Sequence, residues 1–152
     1  MGLSVGDIAP DFCLESSGGG VVSSNDLRGQ CFVLYFYPKD FTSVCTAEAC
    51  SFRDQFADLR DLDVTVFGVS RDDLDTHRKF KEEYDLPFEL LSDPDGKTAK
   101  AYGARVPLLG VTKRVTYLVN GEGRIAAVHE EMFGDASHVN AVLSALSKGE
   151  VR

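Results

Sequence analysis

A continuous run of apolar and aromatic residues from Cys31 to Tyr37 constrains the fold more than any other segment of this chain. Such a run is typical of a β-strand that is buried on both faces, as in a sheet with helices on both sides. Pro38 ends the run, and from about Ser43 to Leu59 apolar residues recur at three- and four-residue spacing, the pattern of an amphipathic helix. The segment therefore predicts an α/β protein in which a central strand leads directly into a helix.

The rest of the chain alternates between strand and helix patterns and contains a turn-rich stretch near its N-terminus. That stretch, Ser16 to Gly20, lies between short apolar pieces and predicts an N-terminal β-hairpin. Further strands are expected at 64–70, 88–91, 114–119 and 124–129, and further helices at about 73–84, 98–102 and 135–146. No repeat or linker interrupts residues 1–152, which are expected to form a single domain.

The charge and hydropathy of the chain exclude several classes of partner. A net charge of -8 argues against binding to nucleic acid or to an anionic membrane surface. No apolar run approaches the roughly 20 residues that are needed to span a bilayer. The N-terminal residues lack the basic and apolar regions of a signal peptide, so a cytoplasmic location is expected.

Cys45 and Cys50 form the pair of residues that most strongly indicates a function. Cys45 falls at the start of the predicted helix, where unpaired backbone N–H groups and the helix dipole favour a thiolate. Cys50 can trap Cys45 once it has been oxidised. On an ideal helix their Cα atoms are roughly 8.6 Å apart, beyond the limit of about 7 Å for a disulfide. The pair therefore predicts a switch in which the turn between the two thiols unwinds.

Three residues are candidates to share a pocket with the Cys45 sulfur. Thr42 or Ser43 is a suitable helix N-cap, and the Thr42 hydroxyl lies about one turn before Cys45. Pro38 shapes the loop that follows the strand and removes a backbone donor there. Arg114, at the start of a late strand, could reach the pocket in space, although spacing alone does not show this.

The other residues with reactive side chains are expected to have structural roles. Cys13 and Cys31 are expected to pack as small hydrophobic residues. Glu48 is expected to complement the dipole in the first turn of the helix rather than to take part in chemistry. The three histidines lack the spacing of metal ligands, so no metal site is predicted.

The arrangement Pro38-x-x-x-Thr42-x-x-Cys45, taken with Arg114, resembles the signature of the peroxiredoxins. The run from Cys45 to Cys50 is similar to the bacterioferritin-comigratory-protein, or PrxQ, branch, which is of the atypical 2-Cys type. The resemblance extends over most of the chain, through the motifs Gly6–Phe12, Val69–Ser70 and Leu90–Asp93.

This resemblance implies a thioredoxin-like fold, with a central mixed β-sheet flanked by helices, and a peroxidase without metal or organic cofactor. Cys45 would be the peroxidatic thiolate that becomes a sulfenic acid, and Cys50 the resolving thiol that joins it in an intramolecular disulfide. Thr42, Arg114 and the Cys45 backbone N–H would hold the peroxide oxygens, and Pro38 would shield the Cys45 thiol from solvent. The implied substrates are hydrogen peroxide and alkyl hydroperoxides, and a thioredoxin-like reductant would reopen the disulfide. A monomer or weak dimer is expected.

Two other functions stay open at this point. A peroxide-responsive redox sensor or interaction protein could use the same cysteine switch, and slow oxidation with a partner that binds only one redox form would favour it. A thiol-disulfide oxidoreductase is the second alternative, although the chain lacks the C-x-x-C pair typical of that class. If Cys50 is only a packing residue, an outside thiol would resolve Cys45.

Overall fold

A computed structural model of the chain describes residues 3–106, 108–131 and 137–147. The strands are β1 (Cys13–Ser16), β2 (Val21–Ser23), β3 (Cys31–Phe36), β4 (Val64–Ser70), β5 (Glu89–Ser92), β6 (Val115–Val119) and β7 (Ile125–Glu130). The helices are α1 (Ser43–Asp54), α2 (Phe56–Asp61), α3 (Leu74–Glu83), α4 (Lys97–Ala101) and α5 (Ser137–Ser147). A single 3-10 turn, Ser24–Leu27, leads into β3. Within these residues, no helix is long and apolar enough to cross a membrane.

The strands form one mixed sheet in the order β2-β1-β5-β4-β3-β6-β7. β3, β4 and β5 run parallel to one another, whereas β6, β7 and the N-terminal hairpin pair in antiparallel fashion. β3 pairs with β4 along one edge and with β6 along the other, so it is the central strand that its continuous apolar sequence predicted. The prediction of a central mixed sheet with an N-terminal hairpin is therefore confirmed.

The side chains of β3 alternate between two hydrophobic cores, one on each face of the sheet. Tyr35 points to the face covered by α1, where its ring stacks on Phe52 with the ring centroids 4.7 Å apart. Phe36 points to the other face and packs against Tyr102 and Tyr117. Because each fully buried side chain of this size contributes about 1.5–3 kcal/mol, the two cores hold β3 and the start of α1 firmly in place.

Two helices differ from the sequence-based prediction. The helix expected from Ser43 to Leu59 is divided into α1 and α2, because Gln55 leaves helical geometry with φ -102 and ψ 8. No proline or glycine marks this break, so the sequence gives no local signal for it. The last helix was expected to begin near 135, a position outside the described residues. The single-domain organisation of 1–152 stays a prediction.

Candidate active site

Cys45 lies in the first turn of α1, which follows the C-terminal end of β3 after a short loop. The residue is buried, with only 1% of its surface exposed. The Thr46 amide donates to the Thr42 carbonyl at 2.8 Å, the first hydrogen bond of the helix. The Cys45 amide precedes it and belongs to the helix N–H groups that have no intrahelical acceptor. The Cys45 sulfur and its own amide therefore stand at the positive end of the helix dipole.

Arg114 brings a positive charge directly to this sulfur. Its Nη1 lies 3.1 Å from Cys45 Sγ and 3.3 Å from Glu48 Oε1. Arg114 immediately precedes β6 and is itself buried, with 5% of its surface exposed. The pairing of β6 with β3 places it beside the start of α1. A buried guanidinium that donates to sulfur stabilises the thiolate, the nucleophilic form of cysteine.

Thr42 and Pro38 occupy the loop between β3 and α1. Thr42 is the N-cap residue by its backbone angles, but its side chain makes no capping hydrogen bond. Its hydroxyl instead donates to the carbonyl of Lys39 at 2.8 Å. Since that proton is committed, the Thr42 oxygen is left to act as an acceptor. Pro38 is half-buried, whereas Thr42 is exposed, so the loop spans the boundary between solvent and the buried sulfur.

Glu48 has a different role from the one expected of it. It lies beyond the first turn of α1 and is fully buried against Arg114. Burial raises the pKa of Glu48 to about 8, although Arg114 acts in the opposite direction. Its second oxygen, Oε2, has no hydrogen-bond partner. Near neutral pH this carboxyl therefore tends to keep its proton, which leaves the charge of Arg114 for the Cys45 sulfur.

His138 on α5 completes the group of buried side chains. Its Nε2 donates to the Glu131 carbonyl at 3.1 Å, so in the neutral ring Nδ1 is an acceptor. Nδ1 is 2.7 Å from the Thr116 hydroxyl, which donates to it, and 3.4 Å from Glu48 Oε2. Burial lowers the pKa of His138 to about 4. The imidazole is thus neutral at physiological pH and adds no charge to the site.

Cys50 lies on the same helix as Cys45 and is half-buried. Both are free thiols, and α1 is continuous between them. Ideal helical geometry separates their Cα atoms by roughly 8.6 Å, so the two sulfurs can bond only after this part of α1 opens. The arrangement is that of a reduced, fully folded form.

Comparison with known proteins decides the family of the chain. A family model described as the AhpC/TSA family matches residues 5–128. The chain belongs to the AhpC/TSA family. A putative peroxiredoxin bcp of Coxiella burnetii is 41% identical over 152 residues, covering 96% of this chain and 100% of that protein. Peroxiredoxin Bcp of Bacillus subtilis is 41% identical over 132 residues, covering 82% and 83% of the two chains.

Solved structures of AhpC/TSA relatives have the same fold. Peroxidoxin BcpB from Mycobacterium tuberculosis matches with a TM-score of 0.88 and 30% identity, covering 95% of this chain and 96% of that one. Xanthomonas campestris peroxiredoxin Q matches with a TM-score of 0.84 and 30% identity, covering 91% of each chain. The predictions of a thioredoxin-like fold, of the Bcp/PrxQ branch and of a thiol-dependent peroxidase are therefore confirmed.

Sequence reasoning missed two residues of this AhpC/TSA site. It was also wrong about the burial of one cysteine outside the site. Glu48 and His138 were not expected at the site, and the available signal was only their position among apolar residues of α1 and α5. Cys31 is half-buried against the core, which fits a packing role. Cys13 is exposed on β1, so the expectation that it packs was wrong.

Proposed function

We propose that this chain reduces peroxides with Cys45 as the peroxidatic thiol and Cys50 as the resolving thiol. The contact of 3.1 Å between Arg114 Nη1 and Cys45 Sγ, at the N-terminus of α1, carries the proposal. A sulfur at a helix N-terminus with a buried guanidinium donating to it is a nucleophile prepared for attack. Membership of a family of thiol-dependent peroxidases supports the same function.

The first step oxidises Cys45. Its thiolate attacks one oxygen of the peroxide, the O–O bond breaks, and the second oxygen leaves as hydroxide or alkoxide and takes up a proton. Arg114 and the Cys45 amide stabilise the negative charge that develops on the oxygens, a contribution of about 10²–10³ in rate for one such donor. The Thr42 oxygen accepts a hydrogen bond from the peroxide O–H, and Pro38 limits the access of bulk water to the sulfur.

The second step releases water and forms a disulfide. The start of α1 unwinds, the Cys50 thiolate attacks the sulfenic sulfur of Cys45, and hydroxide leaves and becomes water. A thioredoxin-like dithiol then reduces the disulfide through a mixed disulfide with one of the two cysteines. An open first turn of a helix costs little free energy in comparison with global unfolding, so the step is accessible.

Hydrogen peroxide and alkyl hydroperoxides are the proposed substrates. A solved structure of the Xanthomonas campestris bacterioferritin comigratory protein is described in terms of its alkyl peroxide reduction activity, which supports the second class. A cytoplasmic location, a monomer or weak dimer, and the lack of nucleic-acid, membrane, metal and cofactor binding stay predictions.

The proposal is tested by single-turnover oxidation. One equivalent of hydrogen peroxide added to reduced protein should remove two hydrogens from the intact mass, and peptide mapping should place the new disulfide at Cys45–Cys50. Cys45→Ser should abolish peroxide consumption, and Cys50→Ser should consume one equivalent and stop. Cys31→Ser, a half-buried thiol outside the site, is the matched control and should behave as wild type. Undiminished consumption by Cys45→Ser would contradict the assignment.

The kinetics of oxidation and turnover of the wild-type protein distinguish a peroxidase from a redox sensor. An enzyme should oxidise rapidly and turn over many times when thioredoxin and its reductase are supplied. A sensor should oxidise slowly, show no thioredoxin-dependent turnover, and bind a partner in only one redox form. Stopped-flow kinetics with and without thioredoxin distinguish the two outcomes.

A further inference from the structure

Asp40 and His77 form a buried pair that is separate from the side chains around Cys45. Asp40 lies in the loop between β3 and α1, His77 lies on α3, and neither side chain is exposed. Asp40 Oδ2 is 2.6 Å from His77 Nδ1, and Asp40 Oδ1 accepts from the Tyr37 hydroxyl at 2.5 Å. His77 Nε2 is 3.0 Å from the Leu91 carbonyl on β5. Every side-chain heteroatom of the pair therefore has a partner.

The contacts of His77 determine how many protons the pair holds. The Leu91 carbonyl can only accept, so Nε2 carries a hydrogen. One further proton lies between His77 Nδ1 and Asp40 Oδ2, and the pair is neutral as a whole whichever atom holds it. A neutral and fully hydrogen-bonded pair avoids the large cost of an isolated buried charge. It can therefore stay in the interior as a permanent contact between the loop and α3.

A second contact fixes the backbone of Asp40. The Asp40 N–H donates to Asp72 Oδ2 at 2.8 Å, and the Ser70 hydroxyl donates to the same oxygen at 2.6 Å. One possible metal-ligand atom from each of Asp40, Asp72 and His77 lies within 4.8 Å of the other two, a spacing that would also suit a metal ion. These atoms already satisfy one another or their neighbours by hydrogen bonds. The group is better described as a clamp on both the side chain and the backbone of Asp40.

The chain changes character immediately after this clamp. Phe41 has a φ of 67°, in the left-handed region, and is 45% exposed. That conformation costs a residue with a Cβ roughly 1–2 kcal/mol. Thr42 and Ser43, which follow, are also exposed. A buried, fixed residue is thus joined by one peptide bond to a strained and exposed one.

We propose that Asp40 and His77 are positioning residues that stop the opening of α1 at Phe41. The inference rests on the proposed function, because the disulfide between Cys45 and Cys50 requires the start of α1 to unwind. The clamp holds Asp40 and the strand before it, and Phe41 acts as the hinge. After reduction the segment refolds from a fixed point, which returns the peroxidatic thiol to its place.

Amide hydrogen exchange measured by NMR tests the position of this stop in the wild-type protein. The Asp40 amide donates to Asp72, and the Thr46 amide donates to Thr42, so each reports on one side of Phe41. In the disulfide form, exchange at Thr46 should be about 100-fold faster than in the reduced form, and exchange at Asp40 should change by less than about 3-fold. A loss of protection at Asp40 as large as that at Thr46 would overturn the proposal.

Two variants of the clamp and one control complete the experiment. In Asp40→Asn and His77→Gln the opening should extend to the Tyr37 amide in the disulfide form, and the rate constant for peroxide with reduced Cys45 should fall about 10-fold. Asp93→Asn is the matched control, because Asp93 is equally buried but caps α4. It should change neither quantity. Wild-type exchange and rate in both clamp variants would contradict a positioning role.

Failure of the proposed function has a different signature from failure of the clamp. The disulfide is prepared separately with hydrogen peroxide and with diamide, which oxidises thiols without a peroxidase step. If only diamide joins Cys45 to Cys50, the catalytic proposal is wrong, and the exchange comparison still decides the clamp. If neither oxidant joins them, the stop at Phe41 is wrong as well, because α1 has no opening to limit.

Discussion

Two buried histidine–carboxylate pairs involve residues close to Cys45 in the chain, Asp40 before α1 and Glu48 within it. The two pairs are built differently. In the first, Asp40 Oδ2 and His77 Nδ1 are 2.6 Å apart. In the second, Glu48 Oε2 and His138 Nδ1 are 3.4 Å apart. All four side chains are completely removed from solvent. Burial alone therefore does not determine how such a pair behaves.

The difference lies in how completely each pair is hydrogen-bonded. Every heteroatom of the Asp40–His77 pair has a partner, and the proton between the two side chains has a donor and an acceptor at close range. In the second pair Glu48 Oε2 has no partner, and His138 Nδ1 already accepts from Thr116. The first pair is closed and the second is open.

A closed pair suits a mechanical role and an open pair suits an electrostatic one. The Asp40–His77 pair is satisfied as it stands, so it fixes the loop before Cys45. The Glu48–His138 pair keeps its neutrality by resisting ionisation, since burial raises the pKa of Glu48 to about 8 and lowers that of His138 to about 4. A neutral Glu48 leaves Arg114 to the thiolate, and an ionised Glu48 competes for it.

The largest expected effect comes from removing the histidine of each pair. His77→Leu should lower the free energy of unfolding by about 3–5 kcal/mol, because Asp40 is left buried without its partner. His138→Leu should cost about 1–3 kcal/mol, because Glu48 retains its proton and the losses are one acceptor for the Thr116 hydroxyl and one donor for the Glu131 carbonyl. Urea denaturation at pH 7, with unchanged dependence on urea concentration, measures both values.

The comparison between the two leucine variants contains its own control, since the same residue is replaced by the same residue at two fully buried positions. An equal cost at both positions would show that the closed and open pairs do not differ energetically. A larger cost for His138→Leu would reverse the comparison.

The next expected effect is a pH dependence of the free energy of unfolding, caused by Glu48. Its pKa is raised from 4.5 to about 8 in the folded protein, so the unfolded chain releases this proton first as the pH rises. The carboxyl therefore destabilises the folded state progressively from about pH 4.5 to about pH 8. Glu48→Gln removes this penalty, and its stability relative to wild type should rise with pH by at most about 1.4 kcal/mol per unit.

The measurement is urea denaturation of both proteins at intervals from pH 5 to pH 9. The contribution of His138 is present in both and largely cancels in the difference. The relative stability of Glu48→Gln should level off above about pH 8, where the folded wild type has also lost the proton. A stability difference that is constant with pH would show that Glu48 does not hold its proton to a higher pH in the folded protein than in the unfolded chain.

The sequence allowed the strand and the helix start of the site to be predicted, because both depend on neighbouring residues. The apolar run of β3 and the pattern of α1 are local, and they place Cys45 at the helix N-terminus. The contact of Cys45 with Arg114 depends on the pairing of β3 with β6, which no local pattern specifies. From the residues alone Arg114 was only one possible cation for the pocket, and the family resemblance was what pointed to it specifically.

The two buried pairs were beyond prediction for a related physical reason. His77 and Phe80 recur at helical spacing, which places His77 on the inward side of α3, but nothing in that spacing selects Asp40 as its partner. Glu48 occupies a position that suits a solvated acid equally well. Whether a polar residue is buried depends on which element covers it, and α5 covers Glu48 from a distant part of the chain.

The smallest expected effects come from removing one hydroxyl that donates to each pair. Tyr37→Phe removes a donor to Asp40, and Thr116→Val removes a donor to His138 Nδ1. The first should cost about 1–3 kcal/mol, because it leaves the buried Asp40 Oδ1 without its donor. The second should cost about 0.5–1.5 kcal/mol, the net contribution of an ordinary hydrogen bond.

The open pair has an additional reason to tolerate the change. The protonated Glu48 carboxyl lies 3.4 Å from His138 Nδ1 and can donate there once the Thr116 hydroxyl is gone. Glu48→Gln would still offer an amide N–H to His138, so the cycle uses Glu48→Met, which has no donor. Thr116→Val should cost more in that background than in wild type if the carboxyl proton takes the place of the Thr116 hydroxyl. The double-mutant cycle measured at pH 6 and pH 9 decides this, because the coupling should shrink at pH 9, where Glu48 has lost its proton. A coupling that is zero at both values would show that His138 and Glu48 act independently, and the second pair would then be a pair only by proximity.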